Sequence, residues 1–204
     1  MAHSLREQIA AVRQELEGRP AGLIHHVERV LVEALSLAHA WDVDPERTEL
    51  ATWGHDLFRA HSPADQLRLA REAGLPIAPA DEAEPVLLHG PLGALVLRER
   101  FGVLDDEVLA AVHDHTLGAP HMALLARIIL LADKVEARKR QRAPVMKDIR
   151  RLARRDLDTA LLCWADWKWI EERTQGWLSH PMHWTARSEW VQAHHEEAAL
   201  PPRG

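Results

Sequence analysis

The sequence predicts an all-α protein, because apolar residues recur at helical spacing along most of its 204 residues and nowhere alternate usefully with polar ones. Helix-starting and helix-stopping residues bracket these segments. With 47% apolar residues the chain can bury a real core, so we predict one helical domain. The expected organisation is an N-terminal helix over residues 1–20, the domain over 21–195 and a C-terminal tail over 196–204.

The first four helices are marked at their ends. Ser4, with Glu7 three residues later, is typical of a capping box. Two later starts pair an N-cap residue with a first-turn proline. The expected helices run from Ser4 to Gly18, over 24–40, from Asp44-Pro45 through Asp56, and from Ser62-Pro63 to Gly74.

A connector separates these helices from the rest. The segment LPIAPADEAEP has three prolines and too little periodicity to predict an element. Further helices are expected over 91–101, from the acidic stretch 105–107 to His115, and over 122–137. Prolines divide the remainder into two or three more helical pieces.

Composition excludes several classes of protein. The formal net charge of −6 leaves no overall basic field to attract nucleic acid. The single Cys163 excludes a disulfide framework and a cysteine-built zinc site, and it fits a reducing compartment. No run of 18 apolar residues is present, and the first residues carry charge. We therefore expect a cytoplasmic protein with no membrane span.

A cluster of tryptophans and a run of basic residues each have a structural and a functional interpretation. Six of the eight tryptophans lie between Trp164 and Trp190, where filling the core is favoured over stacking on bases. Nine basic residues lie between Arg138 and Arg155. A solvated helix face is the favoured interpretation of this run, with phosphate attraction as the alternative.

The 14 histidines point to a histidine site, and the His-Asp pairs in the chain need to be told apart. Chance alone gives roughly one such pair in a chain of this composition. His55-Asp56 lies in the apolar segment LATWGHDLF, where two ionisable groups need compensation such as a metal ion. His113-Asp114 precedes a glycine and a proline at a helix end, so Asp114 is expected at the surface.

Helical spacing helps to select further ligands. His26 shares the apolar face of its helix, whereas the neighbouring His25 does not. The same reasoning favours His115 only slightly over its neighbour, and it leaves His89, at a helix entrance, undecided. Asp133 ends the apolar run RIILLAD, and Lys134 is expected to be a poor partner because adjacent helix positions face apart.

Four histidines and two carboxylates on five segments are a ligand set for two metals. The candidates are His26, His55, Asp56, His89, His115 and Asp133. Imidazole and carboxylate together suit iron, manganese or zinc better than magnesium or calcium. A metal pair can deprotonate a bridging water and hold phosphoryl oxygens, which predicts hydrolysis of a phosphate ester or anhydride.

The order His, His-Asp, His, His, Asp resembles the HD superfamily of metal-dependent phosphohydrolases. More narrowly, it is similar to the symmetrical bis(5'-nucleosyl)-tetraphosphatases of the YqeK type. The segments LLHGPLGA, HTLGAPHM and LADKVEAR carry the narrower resemblance, which covers most of residues 24–190. It implies that the domain over 21–195 is of the HD type. The departures are an added N-terminal helix, an unusual tryptophan content and no evident basic residue just before His26.

The resemblance also implies a mechanism. The six ligands would hold a di-iron-type centre with Asp56 bridging, and a metal-bridging hydroxide would split diadenosine tetraphosphate into two ADP. Arg59 and Lys134 would balance charge in catalysis, and Arg59, Lys134 and Arg138 would contact phosphate. The implied partner is a small nucleotide, and a homodimer is possible. The alternatives are an HD-type enzyme for another phosphorylated nucleotide, and a nucleotide-sensing module without turnover.

Overall fold

The computed structural model describes residues 4–198, and in this range it contains twelve α-helices, one 3-10 helix and no strand. The all-α prediction is confirmed. The helices are α1 (Leu5–Glu17), α2 (Ala21–Ala40), α3 (Pro45–His55), α4 (Pro63–Glu72), α5 (Pro79–Ala83), α6 (His89–Phe101), α7 (Asp106–Asp114), α8 (Leu124–Val135), α9 (Ala137–Arg142), α10 (Val145–Ala153), α11 (Leu157–Gln175) and α12 (Pro181–Ala198), with the 3-10 helix over Pro85–Leu88. Residues 199–204, most of the expected tail, lie outside this description.

Helix caps largely follow the sequence. Ser4 and Glu7 form the expected capping box, with Ser4 N donating to Glu7 Oε2 at 2.8 Å. Asp44 accepts hydrogen bonds from two backbone N–H groups in the first turn of α3, and Ser62 caps α4 in the same way. These side chains satisfy backbone donors that a helix start otherwise leaves without a partner.

Two predicted boundaries were wrong. The presumed connector over 75–85 contains α5 and the start of the 3-10 helix, because proline is well tolerated in a first helical turn. The helix expected over 122–137 ends at Val135. Glu136 leaves the helical conformation, and its carboxylate caps the next helix, α9, by accepting from the N–H groups of Arg138 and Lys139.

Five helices form the centre of the fold. α2 packs along α3 and α8, and α7 packs against α3, α6 and α8. α1 adds to this group through α3, while α10 and α11 pack against each other and against α8. Leucine, isoleucine and valine side chains from these helices form one continuous buried core. This arrangement directs the ends of α3, α6 and α7 towards the same region as the middle of α2 and the end of α8.

The basic run between Arg138 and Arg155 is not wholly the solvated face that we expected. Glu33 of α2 is buried, and its two carboxylate oxygens accept from Arg140 and Arg150 at 2.6 Å each. A buried carboxylate needs such partners, since an unpaired charge in the interior is costly. Part of the basic run therefore fastens α9 and α10 to α2.

The tryptophan prediction was partly wrong. Trp164 and Trp190 are buried, as expected, but Trp169, Trp177 and Trp184 are 39%, 54% and 37% exposed. Trp169 lies on α11, Trp184 on α12 and Trp177 in the link between these helices. In residues 4–198 no helix combines the length and the apolar character that a membrane crossing needs.

Candidate metal centre

The six predicted ligands come from five helices and meet at one place. They are His26 on α2, His55 at the last position of α3, Asp56 directly after it, His89 at the first position of α6, His115 directly after α7, and Asp133 near the end of α8. Four of the six therefore lie at or beside a helix end, where a small change of direction can point a side chain inward. We refer to these six residues as the metal centre.

Asp56 lies at the middle of the metal centre. Its Oδ1 is 3.2 Å from Nε2 of His89 and 3.9 Å from Nε2 of His115. Its Oδ2 is 3.4 Å from Nε2 of His26 and 3.6 Å from Nε2 of His55. One carboxylate thus divides its two oxygens between two pairs of imidazoles. The result is two triads of potential ligands, His26-His55-Asp56 and Asp56-His89-His115.

Asp133 joins the half of the centre that contains His26, with Oδ1 3.1 Å from His26 Nε2. It is also the acceptor for two ammonium groups, those of Lys134 at 2.7 Å and Lys139 at 2.5 Å. The expectation that Lys134 is a poor partner for Asp133 was wrong. Although adjacent Cβ atoms face apart on a helix, the flexible four-carbon stem of lysine lets its ammonium group turn back.

Three imidazoles are oriented by the main chain. Their Nδ1 atoms contact carbonyl oxygens three residues earlier: His55 with Thr52 at 2.6 Å, His115 with Val112 at 2.7 Å, and His89 with Val86. A carbonyl oxygen only accepts, so each Nδ1 carries the proton and each Nε2 presents a lone pair. Metal-binding histidines in proteins are held in this way.

The nitrogens that face the metal centre lack suitable partners within the protein. Nε2 of His55 is buried and has no hydrogen-bond partner among the described residues. The Nε2 atoms of His89 and His115 lie 2.9 Å apart, although both present lone pairs. Thr116 Oγ1 lies 3.2 Å from one and 3.4 Å from the other, and its single proton serves only one of them. Converging lone pairs of this kind fit cations, so the centre can hold divalent metal.

Burial sets the protonation of the metal centre. It lowers the pKa of His55 and places that of His115 well below its ordinary value, which keeps both rings neutral, the form that binds metal. Burial alone would raise the pKa of Asp133, but the charges of Lys134 and Lys139 outweigh it and hold that pKa well below its usual range. Neutral imidazoles and ionised carboxylate are therefore present together.

A glycine allows His89 to approach His115. A Cβ atom on Gly90 would lie 2.7 Å from the carbonyl oxygen of His113 and 3.0 Å from that of Val112. Any other side chain at this position would push the start of α6 away from the end of α7. Gly90 thus brings together the two helix ends that carry His89 and His115.

A cavity of about 1160 Å³ opens above the metal centre. Five of the six ligands line it, while His55 lies fully buried behind them. Its cationic side chains come from several helices and loops: Arg59, Lys134, Lys139, Arg142 and Lys168. Glu84, Glu171 and Glu172 line it as well. A cavity of this size with five cationic side chains can accommodate a large anionic ligand.

Residues 23–138 match the family model described as HD domain. The chain belongs to the HD-domain family. Over 76% of its length it is 31% identical to the symmetrical bis(5'-nucleosyl)-tetraphosphatase of Bacillus subtilis, covering 81% of that relative. It is 34% identical to the protein of the same name from Halalkalibacterium halodurans, over 67% of this chain and 72% of that one. The predicted family and the prediction of a hydrolase are confirmed.

A solved structure agrees with this HD-domain fold. The crystal structure of a predicted HD superfamily hydrolase involved in NAD metabolism from Clostridium acetobutylicum superposes with a TM-score of 0.84. The superposition covers 95% of this chain and all of the other, at 24% sequence identity. The two chains share their fold.

The residues predicted to contact phosphate do not all line the same cavity. Arg59 and Lys134 line the large cavity, whereas Arg138 lines a neighbouring pocket of about 180 Å³. His25 is exposed, and His113 pairs with Asp114 at 2.7 Å outside the metal centre, as the sequence indicated.

Sequence reasoning named Lys139 and Arg142 only as members of the basic run, and it missed Lys168 and the far side of the cavity. Lys139, Arg142 and Lys168 follow no motif, and only the helix break at Glu136 and the packing of α11 bring them to the cavity. The far side is formed by α11, α12 and the link between them. We call it the aromatic wall: Trp164, Trp167, Trp177, Leu178 and His183.

Proposed function

We propose that this HD-domain enzyme hydrolyses diadenosine tetraphosphate symmetrically and releases two ADP. The observation that carries the proposal is the pair of ligand triads sharing Asp56 at the base of a large cavity that five cationic side chains line. A substrate with four linked phosphates needs both features, since it brings a high negative charge and a stable anhydride bond. The names of the relatives from Bacillus subtilis and Halalkalibacterium halodurans support the choice of substrate.

The six residues of the metal centre would hold two ions, with Asp56 shared between them. Iron is our first choice, with manganese and zinc as alternatives, because the donors combine imidazole with carboxylate. Two such metal ions supply Lewis acidity towards phosphoryl oxygens and lower the pKa of bound water towards neutrality.

The chain's own cations would position the tetraphosphate. Arg59 is exposed at the cavity, and its guanidinium makes no hydrogen bond or ion pair with any described residue, so it is available to bind two phosphate oxygens. Lys134 would add a point charge beside the scissile bond. We place Arg138 as an outer contact, since its pocket also includes His26, Lys139 and Arg142, which line the cavity.

The reaction consumes one water. Its oxygen attacks one of the two central phosphorus atoms, and the bridging P–O bond on the inner side breaks. The electron pair of that bond leaves with the second ADP, and the protons of the water end on the two product phosphates. The cationic side chains balance the charge that develops on the phosphoryl oxygens as the bond breaks.

The test is a product assay on metal-reconstituted protein, with element analysis of the freshly purified chain. We expect ADP as the sole nucleotide product from diadenosine tetraphosphate and iron as the principal metal. The Asp56→Asn variant should lose metal and about a thousandfold in rate, because metal catalysis contributes several kcal/mol.

Asp114→Asn is the matched control, since Asp114 also follows a histidine but lies outside the metal centre. It should keep the parent rate and metal content. Formation of AMP and ATP would contradict symmetrical cleavage. An active Asp56→Asn protein would contradict the role of the metal centre. If a panel of nucleotides showed cleavage of others but not of diadenosine tetraphosphate, the assigned substrate would be wrong.

A further inference from the structure

Positive groups and indole rings alternate along one side of the cavity, starting from the metal centre. Lys134, which donates to Asp133, lies with its Nζ 5.5 Å from the centroid of the Trp164 ring. Lys168 follows Trp164 by four residues on α11, about 6 Å further along the helix. Its Nζ lies 4.8 Å from the centroid of Trp177 and donates to the Glu171 carboxylate at 2.8 Å, which leaves two of its three N–H donors for a ligand. These four side chains form a continuous series from the metal centre to the Trp177 ring.

The rings of this series differ in how much of their surface is available. Trp164 is 2% exposed, and an edge contact with His183 at 5.2 Å occupies it in addition to Lys134. Trp167 is half-buried against the core. Trp177 is 54% exposed while also lining the cavity. Of the three, it has the most ring surface open to a ligand.

The main chain and neighbouring side chains hold Trp177 in place. Gly176 ends α11 in the left-handed conformation, and Trp177 N donates to the carbonyl of Glu172 at 2.9 Å. Two residues later Ser179 Oγ donates to the Glu172 carboxylate at 2.7 Å. This helix-ending pattern fixes the backbone on both sides of the indole. Trp177 is thus exposed but held in position, which lowers the entropy that a stacked ligand would cost.

We propose that Trp177 is the stacking platform for one nucleobase of the substrate, and that Lys168 contacts the phosphates between that base and the metal centre. The inference rests on the proposed function and deepens it, because it assigns the nucleoside end of the ligand to the aromatic wall. Stacking on an indole is available to every base, since every base has a π face. The contact therefore favours nucleotides over phosphates without a base, while tolerating different bases.

The test compares two ligands on the metal-loaded protein by isothermal titration calorimetry. ADP carries a base, and methylenediphosphonate is a diphosphate without one that resists hydrolysis. Trp177→Leu should weaken ADP binding by roughly five- to a hundredfold, the range that loss of one stacked base produces, and leave methylenediphosphonate binding unchanged. Trp177→Phe, which keeps an aromatic face, should restore most of the ADP affinity.

The matched control is Trp169→Leu. Trp169 is also partly exposed, at 39%, but it contacts Trp184 and does not line the cavity. This variant should bind ADP as the parent does. Circular dichroism on each variant checks that the helices persist.

Each outcome has a defined meaning. Unchanged ADP binding by Trp177→Leu, or equal weakening of ADP and methylenediphosphonate, overturns the stacking platform, as does a parent protein that binds no ADP. The proposed function can fail separately. If the parent protein leaves diadenosine tetraphosphate intact and Trp177→Leu selectively weakens ADP binding, the proposed substrate is wrong. The stacking role of Trp177 is then still supported.

Discussion

The metal centre and the aromatic wall face each other across one cavity, but they are built differently. Three of the four imidazoles of the metal centre are buried and held by main-chain carbonyls, and all six candidate ligands lie within the HD match over 23–138. The aromatic wall comes from α11, α12 and the link between them, beyond that match, and Trp177 is largely exposed. Main-chain contacts thus orient most of the candidate ligands, whereas the opposite side of the cavity is formed by side chains.

Among variants that separate the metal centre from the aromatic wall, we expect the largest loss of metal and activity from Gly90→Ala. The added Cβ would lie 2.7 Å from the carbonyl oxygen of His113, a main-chain atom that cannot move aside cheaply. The start of α6 must shift, which separates His89 from His115. We expect the metal content to fall and the rate to drop about a hundredfold, as displacements near 1 Å can cause.

Gly18→Ala is the control for Gly90→Ala. Gly18 ends α1 with right-handed helical φ and ψ, and a Cβ there would meet nothing closer than 4.0 Å. Metal content by element analysis and the initial rate are the measurements. Parent values for Gly90→Ala would show that the close approach of α6 and α7 is not what positions His89.

Gly118→Ala should disturb the packing of α12 and leave the metal content unchanged. Gly118 has a φ of +79°, and an added Cβ would lie 2.7 Å from the ring of Trp190, which seats α12 by donating from Nε1 to the Ala119 carbonyl at 3.0 Å. Left-handed strain and displacement of the ring together should cost about 2–4 kcal/mol.

The measurement for Gly118→Ala is denaturant unfolding, combined with element analysis. Reduced stability with parent metal content is the expected pair of results. A variant that loses metal as readily as Gly90→Ala would show that the two sides of the cavity are not independent.

The smallest effect concerns His183, a buried member of the aromatic wall. Burial lowers its pKa, so it stays neutral in the folded protein at a pH where the unfolded chain takes up a proton. Stability contributed by this residue is therefore lost as the pH falls below about 6.5. The maximum slope for one proton is about 1.4 kcal/mol per pH unit.

His183→Gln removes this titration. We expect unfolding free energies of parent and variant, measured from pH 7 to pH 5.5, to converge as the pH falls. Parallel curves would mean that His183 takes up its proton equally well in the folded state.

Most of the fold could be predicted from the sequence, and the six candidate ligands lie together in the structure, for identifiable reasons. Helix starts were signalled by local caps such as Ser4 and Asp44. His26 could be separated from His25 because helical spacing decides which of two neighbours faces the core. These signals act over a few residues, which is the range that a sequence pattern reports directly.

Features that depend on distant packing could not be predicted. The inward turn of Arg140 and Arg150 requires Glu33, more than a hundred residues earlier. The exposure of Trp177 depends on what α11 and α12 leave uncovered, which its hydrophobicity does not reveal. The pairing of Lys134 with Asp133 depends on side-chain flexibility, which an argument from helix faces overlooks.

The two ammonium groups on Asp133 have a consequence for the protein without its ions. Lys134 and Lys139 neutralise Asp133. Asp56 is buried as well, but His55, His89 and His115 present lone pairs to it and no ammonium or guanidinium group pairs with it among the described residues. Chelation should therefore leave one uncompensated carboxylate in the interior, so the stability lost with the ions should come from Asp56 and not from Asp133.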